Sequence, residues 1–254
     1  MRVVFLGVGE ACDDTLPNTS IWLQAHTEYG GRSVLLDCGF TVPPRYFAWT
    51  ADPEDLDALW ISHFHGDHFF GVPALILRLW EMQRKKPLTI VGQVGVEEKV
   101  TQAVELAYPG FLAKLMYPLE FVTVEAGRAV DVAGLLWRFA SNHHGQPDLA
   151  VRIDDDEHSV FYSGDGLATP ESLALANGCD LVVHEAFRLE QPVAGHGTVM
   201  QSVGFSRGAG AKRLALVHLQ RDERKARLEE IKTFAREVHD LDVLLPSPGD
   251  VLEL

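Results

Sequence analysis

Short apolar runs, rich in β-branched and aromatic residues and bounded by Gly, Pro or Asp, recur along the whole chain. Runs of this kind are typical of buried β-strands. In the first half of the chain the predicted strands are Val3–Val8, Ser20–Ala25, Ser33–Asp37, Ala58–Ser62 and Leu88–Val91. In the second half they are Leu119–Val124, Leu135–Ala140, Leu149–Ile153, Ser159–Ser163, Leu181–Val183, Leu214–Val217 and Val243–Leu245.

Segments whose apolar residues recur at helical spacing lie between and after these strands. A short helix is predicted to begin at Asp52-Pro53, because Asp caps helices and Pro is tolerated in their first turn. The longer predicted helices are Phe69–Lys85, Val96–Ala107, Pro170–Ala176, Thr198–Ser206 and Glu223–Val238. No repeat or long linker divides the sequence, so we predict a single domain over residues 1–254. This order of elements predicts two sheets covered by outer helices.

The composition is that of a globular protein with an apolar core: of 254 residues, 46% are hydrophobic and 23% are charged. No apolar run approaches the roughly 20 residues that cross a bilayer, and the first residues are not expected to form a signal peptide, because Gly7, Gly9 and Glu10 interrupt the apolar stretch early. The three cysteines, Cys12, Cys38 and Cys179, leave an odd thiol, which fits a reducing compartment. We therefore expect a cytoplasmic protein with no membrane partner.

The net charge is −14, with 36 acidic and 22 basic residues. Proteins that bind nucleic acid through its phosphates normally present a basic face, so nucleic acid is a disfavoured partner. The only dense basic run, Arg84-Lys85-Lys86, is predicted to be a solvated helix end. Net charge does not describe local surfaces, however, and a basic groove remains compatible with it.

The most informative segment is Ile61-Ser-His63-Phe-His65-Gly-Asp67-His68. It follows a predicted strand and precedes a predicted helix, so we expect its ligands to lie on the loop between them. Residues two apart in extended backbone share a face, which lets His63 and His65 converge on one metal ion. The glycine permits a sharp turn that directs Asp67 and His68 to a second ion nearby. Imidazole and carboxylate donors favour zinc or a similar first-row metal.

Further candidate ligands stand where other predicted strands end. His143-His144 follows one strand, Asp165 follows another, and His218 follows a third. Proteins that alternate strands and helices place their sites at such strand ends. The alternative interpretation, a merely polar loop and structural histidines, does not explain why the pattern repeats.

In these motifs the sequence resembles the metallo-β-lactamase superfamily. The H-x-H-x-D-H signature is intact in residues 63–68, and the family's other motif residues are matched in order by Asp37, His144, Asp165 and His218. The resemblance implies an α+β fold, a four-layer αββα sandwich with two divalent metal ions at one edge of the paired sheets. It implies that one ion is held by His63, His65 and His144, the other by Asp67, His68 and His218, and both by Asp165. Asp37 would orient the site without binding metal.

Within the superfamily the chain looks most like ribonuclease Z. The similarity extends over His144-Gly-Gln-Pro147, His184-Glu185-Ala-Phe187 and His196-Gly-Thr198. The last two motifs resemble those of a proton-donating dyad in ribonuclease Z, which implies that His196 is a general acid held by Glu185. Ribonuclease Z also carries a long tRNA-binding arm between its third histidine and its bridging aspartate. Only a hairpin fits between His144 and Asp165, so we accept the chemistry but do not expect tRNA as a substrate.

The resemblance implies a metal-dependent hydrolase that activates water with two ions, and Asp67 is then both ligand and catalytic residue. Zinc is the expected metal, with manganese and iron as alternatives. The leading hypothesis is a phosphodiesterase acting on a small-molecule or nucleotide-like substrate. Hydrolysis of an aryl sulfate, a lactone or another carboxyl ester on the same centre is a second hypothesis, and a non-catalytic metal-binding scaffold is a third. A homodimer is an option that the sequence leaves open.

Overall fold

Two β-sheets form the centre of the computed structural model, which describes residues 1–28 and 30–254. Within these residues each sheet has seven strands. In the order in which they hydrogen-bond, the strands of sheet 1 are β14 (Val251–Glu253), β1 (Arg2–Gly7), β2 (Ser20–Thr27), β3 (Gly30–Leu36), β4 (Ala58–Ile61), β5 (Leu88–Gly92) and β6 (Leu119–Thr123). Those of sheet 2 are β13 (Asp242–Leu244), β12 (Arg213–Val217), β11 (Leu181–Glu185), β10 (Ser159–Tyr162), β9 (Asp148–Asp154), β8 (Leu135–Asn142) and β7 (Ala129–Val132).

Each sheet changes from antiparallel to parallel pairing at its middle. In sheet 1 the neighbours from β14 to β3 are antiparallel and those from β3 to β6 are parallel. In sheet 2 the neighbours from β7 to β10 are antiparallel and those from β10 to β13 are parallel. The parallel strands of one sheet all end at the same edge, and this brings the polar residues that follow them together.

The helices of the described residues lie outside the two sheets. They are α1 (Val42–Phe47), α2 (Gly66–Phe69), α3 (Val72–Glu81), α4 (Val96–Ala107), α5 (Pro170–Leu175), α6 (Val199–Gly208) and α7 (Arg221–Glu237), with a 3₁₀ turn at Leu112–Lys114. The sheets pack face to face through an apolar core in which Trp60 stacks on Phe139, with ring centroids 5.1 Å apart. The outer face of sheet 1 packs on α1, α3 and α4, and that of sheet 2 on α6 and α7. The predicted αββα layering and α+β class are therefore confirmed.

No helix in the part of the chain that the structure describes is both long and apolar enough to span a bilayer.

The segment around Asp52 is a turn, so the short helix predicted at Asp52-Pro53 is wrong. The side chain of Asp52 accepts a hydrogen bond from the backbone N–H of Glu54 at 2.9 Å, which closes a tight local turn. The carbonyl oxygen of Pro53 accepts from Arg84 at 2.6 Å, so a side chain takes the place of a helical N–H donor. A capping signal alone does not make a helix where a distant arginine binds the carbonyl.

Arg84 is fully buried, so the prediction of a solvated helix end at Arg84-Lys85-Lys86 is wrong for this residue. Besides Pro53, its guanidinium donates to the carbonyl oxygens of Leu56 and Pro87. Five donors in a planar fork let one arginine satisfy several loop carbonyls at once. Lys86 is only partly buried and forms an ion pair with Asp57 at 2.8 Å.

The helix predicted over Phe69–Lys85 is interrupted, and α2 begins before it. Asp67 and His68 therefore lie on the short helix α2, not on a loop as predicted. The break falls at Gly71, where an added Cβ would lie 2.1 Å from the carbonyl oxygen of Gly39, so no larger residue fits. Helix α3 then restarts with Pro73 in its first turn. The elements α1, β7 and β14 were not predicted from the sequence.

Candidate metal centre

The first group of candidate ligands comes from residues that follow β4, β8 and β10. Nδ1 of His65 lies 3.1 Å from Nε2 of His63 and 3.0 Å from Nε2 of His144. Oδ2 of Asp165 lies 3.9 Å from Nε2 of His63 and 4.0 Å from Nε2 of His144. These four donor atoms lie within 4.8 Å of one another, close enough to share one ion.

The second group combines the short helix α2 with the residue after β12. Oδ2 of Asp67 lies 3.3 Å from Nε2 of His68 and 3.3 Å from Nε2 of His218. Asp165 belongs to this group as well, because its Oδ1 is 3.4 Å from Nε2 of His68 and its Oδ2 is 3.4 Å from Nε2 of His218. The structure thus brings all seven predicted ligands together and sets Asp165 between the two groups.

Asp37 fixes the orientation of His68 from behind. Its Oδ2 accepts hydrogen bonds from Nδ1 of His68, the hydroxyl of Ser62 and the hydroxyl of Tyr162, each at 2.7 Å. Its Oδ1 accepts from the backbone N–H of Ser62 at 2.8 Å. With Nδ1 of His68 used as a donor to a carboxylate, the ring presents Nε2 to the centre, as metal-binding histidines commonly do.

Two histidines of the first group, His63 and His144, are held through Nδ1 in the same way. Nδ1 of His63 lies 3.2 Å from Oδ1 of the buried Asp148 and 3.0 Å from the hydroxyl of Ser62. Nδ1 of His144 donates to the carbonyl oxygen of Gly195 at 2.8 Å. Each ring is therefore turned so that Nε2 faces Asp165.

Burial and neighbouring charges shift the pKa values of these groups in opposite directions. Burial lowers the pKa of His63 well below its ordinary value, and the nearby imidazoles lower it further. Burial also lowers the pKa of His68, but Asp165 and Asp37 outweigh it and hold that pKa well above the ordinary value. The pKa of Asp165, which burial alone would raise, is held well below its usual range by His218 and His68. The low pKa of Asp165 therefore depends on positive charge close to its carboxylate.

Unpartnered donor atoms test whether these residues fit metal ions. Nε2 of His68 and Oδ1 of Asp165 are buried and have no hydrogen-bond partner within the described residues. A neutral His68 ring that donates from Nδ1 to Asp37 carries a lone pair on Nε2. This lone pair faces Oδ1 of Asp165, so two acceptor atoms lie opposite each other with no proton between them. A divalent cation between them satisfies both, and a set of imidazoles and carboxylates suits first-row metals. The residues therefore fit the metal ions that the sequence predicts.

His196 and Glu185 lie beside this centre but are not hydrogen-bonded to each other. Nδ1 of His196 is 3.7 Å from Oε1 of Glu185, which is an ion-pair distance. Oε1 instead accepts from the backbone N–H of Gly197. The ring of His196 stacks on Phe187, with centroids 4.3 Å apart, and its centroid is 5.0 Å from that of His144. Stacking thus positions the His196 ring next to a candidate ligand, and Glu185 adds a nearby negative charge.

Two buried residues that support the ligands, Asp148 and Tyr162, were not predicted from the sequence. Asp148 lies in the stretch after His144 that resembles ribonuclease Z, and this was the available signal. Tyr162 reads only as the end of an apolar strand, and nothing in the pattern indicates its hydrogen bond to Asp37. Its role depends on the packing of two sheets, which strand periodicity does not describe.

The backbone is left-handed at two residues of the site. Asp37 has φ 59° and His218 has φ 60°, values that side chains with a Cβ rarely adopt. Such conformations cost on the order of 1–3 kcal/mol and persist where the surroundings enforce them, often at functional sites. Each residue directly follows a strand, β3 or β12. The turn directs the side chain of Asp37 toward His68 and that of His218 toward Asp67.

Comparison with known proteins gives relatives of similar extent. A ribonuclease Z of Limosilactobacillus fermentum is 27% identical over an alignment of 307 residues, which covers 96% of this chain and 98% of the relative. The alignment is longer than the 254 residues of this chain, so the relative contains segments that the chain lacks.

Solved structures share the fold at low identity. YhfI from Bacillus subtilis, a metallo-β-lactamase fold protein, has a TM-score of 0.82 at 22% identity and is covered to 99%, as is this chain. A diphosphatase from the PhnP family has a TM-score of 0.73 at 18% identity, with 100% of this chain and 97% of that chain covered. Residues 32–219, most of the chain, match the model of the family described as the beta-lactamase superfamily domain. The chain therefore belongs to the beta-lactamase superfamily and has the metallo-β-lactamase fold.

Proposed function

We propose that this protein is a metal-dependent phosphodiesterase with two metal ions in its active site. The observation that carries the proposal is the pair of ligand groups that share Asp165. His63, His65 and His144 would hold one ion, and Asp67, His68 and His218 the other. Zinc is the proposed metal, because imidazole nitrogen and carboxylate oxygen dominate both groups.

When bound, the two ions would supply Lewis-acid chemistry and would lower the pKa of a water toward about 7, which would make it a nucleophile near neutral pH. The chain supplies the rest. Asp37 and Asp148 keep the rings of His68 and His63 in fixed orientation. His196 would donate a proton to the leaving oxygen, with the carboxylate of Glu185 3.7 Å from its Nδ1.

The names of the relatives support a phosphodiester over the other esters. One relative is named ribonuclease Z, and one structural neighbour is described as a diphosphatase. Both activities cleave a phosphorus–oxygen bond. Negative charge on the phosphate oxygens increases toward the leaving oxygen as the bond breaks, and two adjacent cations would neutralise it. Aryl sulfates and lactones remain the alternatives that the experiment below compares.

Exposed apolar side chains near the ligands indicate the chemical character of the substrate. Phe40 and Phe70 are 52% and 61% exposed and flank the stretches that carry Asp37 and His68. Val94 is 67% exposed, and its neighbour Gln93 donates to the carbonyl oxygen of Pro147 close to the first ligand group. Apolar side chains exposed next to segments that carry ligands favour an apolar or aromatic substrate group. We therefore propose a small or nucleotide-like phosphodiester.

The chain between His144 and Asp165 contains only strands β9 and β10 with a short turn at residues 155–158. It contains no additional arm, in agreement with the hairpin predicted from the sequence. This supports a substrate other than tRNA.

The proposed activity is tested with bis(p-nitrophenyl) phosphate. We expect turnover that chelation stops and that added zinc or manganese restores. Asp67→Ala should lose about one metal equivalent and nearly all turnover, because Asp67 is central to the second group. Parallel assays with p-nitrophenyl sulfate and a lactone separate the second hypothesis. Metal binding without turnover of any substrate would instead favour the scaffold.

A further inference from the structure

Three arginines line one groove on the outer face of sheet 2. The groove has a volume of about 1020 Å³ and lies between strands β7 to β9 and helix α5. Arg128, Arg138 and Arg152 line it together with His143, and Glu171 is the only acidic residue among those that line it. In a chain of net charge −14, such a local excess of positive charge needs an explanation.

The pairing register sets two of these arginines directly against each other. Arg138 on β8 is opposite Arg152 on β9, and on its other side it is opposite Ala129, the neighbour of Arg128. Alternation along β8 and β9 turns Arg138 and Arg152 away from the apolar core, toward the same face. Like charges directly opposite on adjacent strands destabilise a sheet unless a counter-charge lies close to both.

The charge of the row is only partly neutralised. Asp154 pairs with both Arg138, at 2.8 Å, and Arg152, at 2.9 Å. Arg152 is further occupied by the carbonyl oxygens of Leu175 and Asn177. Its guanidinium therefore has little capacity for another ligand.

Arg138 and Arg128 keep unused donors. Among the described residues, Nε of Arg138 is buried and has no hydrogen-bond partner, and the single side-chain hydrogen bond of Arg138 runs from its other nitrogen to Asp154. The exposed guanidinium of Arg128 forms no hydrogen bond or ion pair with any residue that the structure describes. Guanidinium groups match phosphate oxygens in a two-point geometry, and their hydrogen bonds to anions are stronger than neutral ones.

We propose that this groove binds a phosphate group other than the one hydrolysed at the metal centre. His143 is among the residues that line the groove, and the next residue in the chain is the candidate ligand His144. From Arg138 to His143 the chain runs five positions, about 17 Å in extended backbone. The phosphate belongs either to a long substrate or to a separate effector. Assignment of this phosphate to a substrate rests on the proposed phosphodiesterase activity, whereas binding of phosphate in the groove does not.

Binding is tested directly with inorganic phosphate, by calorimetry on the metal-loaded protein. The variant is Arg128→Gln/Arg138→Gln, and the matched control is Arg45→Gln, which removes an exposed arginine on α1. We expect one phosphate-binding event to weaken roughly tenfold or more in the double variant and to stay unchanged in the control. Equal binding by wild type and double variant would overturn the proposal. The melting temperature of the double variant should stay close to that of the wild type, since loss of the partly exposed Arg138–Asp154 ion pair is offset by relief of the repulsion between Arg138 and Arg152; a clear fall would indicate a structural role instead.

Kinetics then distinguish the two sources of the phosphate. If it belongs to the substrate, the double variant raises KM for a short oligonucleotide while KM for bis(p-nitrophenyl) phosphate is unchanged. If it belongs to an effector, added inorganic phosphate alters turnover of bis(p-nitrophenyl) phosphate in the wild type and not in the variant. A protein that binds phosphate in the groove but hydrolyses neither diester would leave this site standing and contradict the proposed function alone.

Discussion

Replacing Asp37 by Asn isolates the orientation of a metal ligand from metal binding itself. One oxygen of the Asp37 carboxylate accepts from the backbone N–H of Ser62, which can only donate, so the amide oxygen of Asn must stay there. The amide NH₂ then faces the hydroxyls of Ser62 and Tyr162 and Nδ1 of His68. Hydroxyls can rotate to accept, but His68 can accept at Nδ1 only if its proton moves to Nε2.

A proton on Nε2 of His68 occupies the atom that faces Asp165 and Asp67. Moving it back, or leaving the amide unpaired, costs free energy that metal binding must supply. Loss of such a supporting contact typically weakens metal affinity about 10–100-fold, which corresponds to about 1.4–2.7 kcal/mol. Asn tolerates the left-handed backbone of position 37, so the main chain should keep its course.

The assay is metal content by elemental analysis across a series of buffered zinc concentrations, together with turnover at each point. We expect Asp37→Asn to shift the loading of one ion to higher zinc and to regain most turnover in excess zinc. Asp55→Asn is the control, because Asp55 likewise accepts from a tyrosine hydroxyl, that of Tyr46 at 2.8 Å, and lies outside both ligand groups. Unchanged zinc loading in Asp37→Asn would refute the orienting role.

Three further predictions concern the proposed proton donor, the exposed aromatic residues and the effect of zinc on stability. His196→Ala should retain both metal ions and slow diesters with poor leaving groups by about 10²–10⁴-fold while leaving good leaving groups nearly unaffected; the same loss across a leaving-group series would contradict the acid role. Phe40→Ser and Phe70→Ser should each raise KM for substrates with an aromatic group by roughly tenfold, with Leu106→Ser, an exposed residue on α4, as a control that changes nothing. Zinc loading should raise the melting temperature by about 10 °C, since a ligand bound only by the folded state adds its binding free energy to stability; calorimetry of loaded and chelated protein measures this.

The ligand groups could be predicted from the sequence because each ligand is tied to a local signal. His63 and His65 share a face by extended spacing, and Asp67 follows a glycine that allows a turn. His144 and His218 stand where apolar runs stop, and the existence of a strand can be predicted from such a run even where its exact end cannot. The packing of the sheets then needs only to bring those ends to one edge, which the metallo-β-lactamase resemblance already implied.

Residues whose role depends on distant partners were beyond the sequence pattern. Arg84 belongs to a basic run that looks solvated, yet three loop carbonyls bind it in the interior. Asp52 carries a capping signal, but the same arginine binds the next carbonyl and a turn forms instead. The proximity of Arg128, Arg138 and Arg152 likewise becomes visible only when the strand register is known. Arg138 lies opposite Arg152, and Arg128 precedes the residue on the other side of Arg138. Local propensity describes the element and not its cross-strand neighbours.

Four buried carboxylates explain why the centre depends on cations from outside the chain. Asp37, Asp67, Asp148 and Asp165 are all at most 6% exposed. Their partners within the described residues are imidazoles, hydroxyls and backbone N–H groups, with no lysine or arginine among them. Burying carboxylates without positive charge is costly, and imidazolium can offset it only by giving up the lone pair that binds metal. Divalent ions would supply the charge and leave each imidazole neutral, so buried carboxylates whose described partners include no lysine or arginine favour metal binding at this edge.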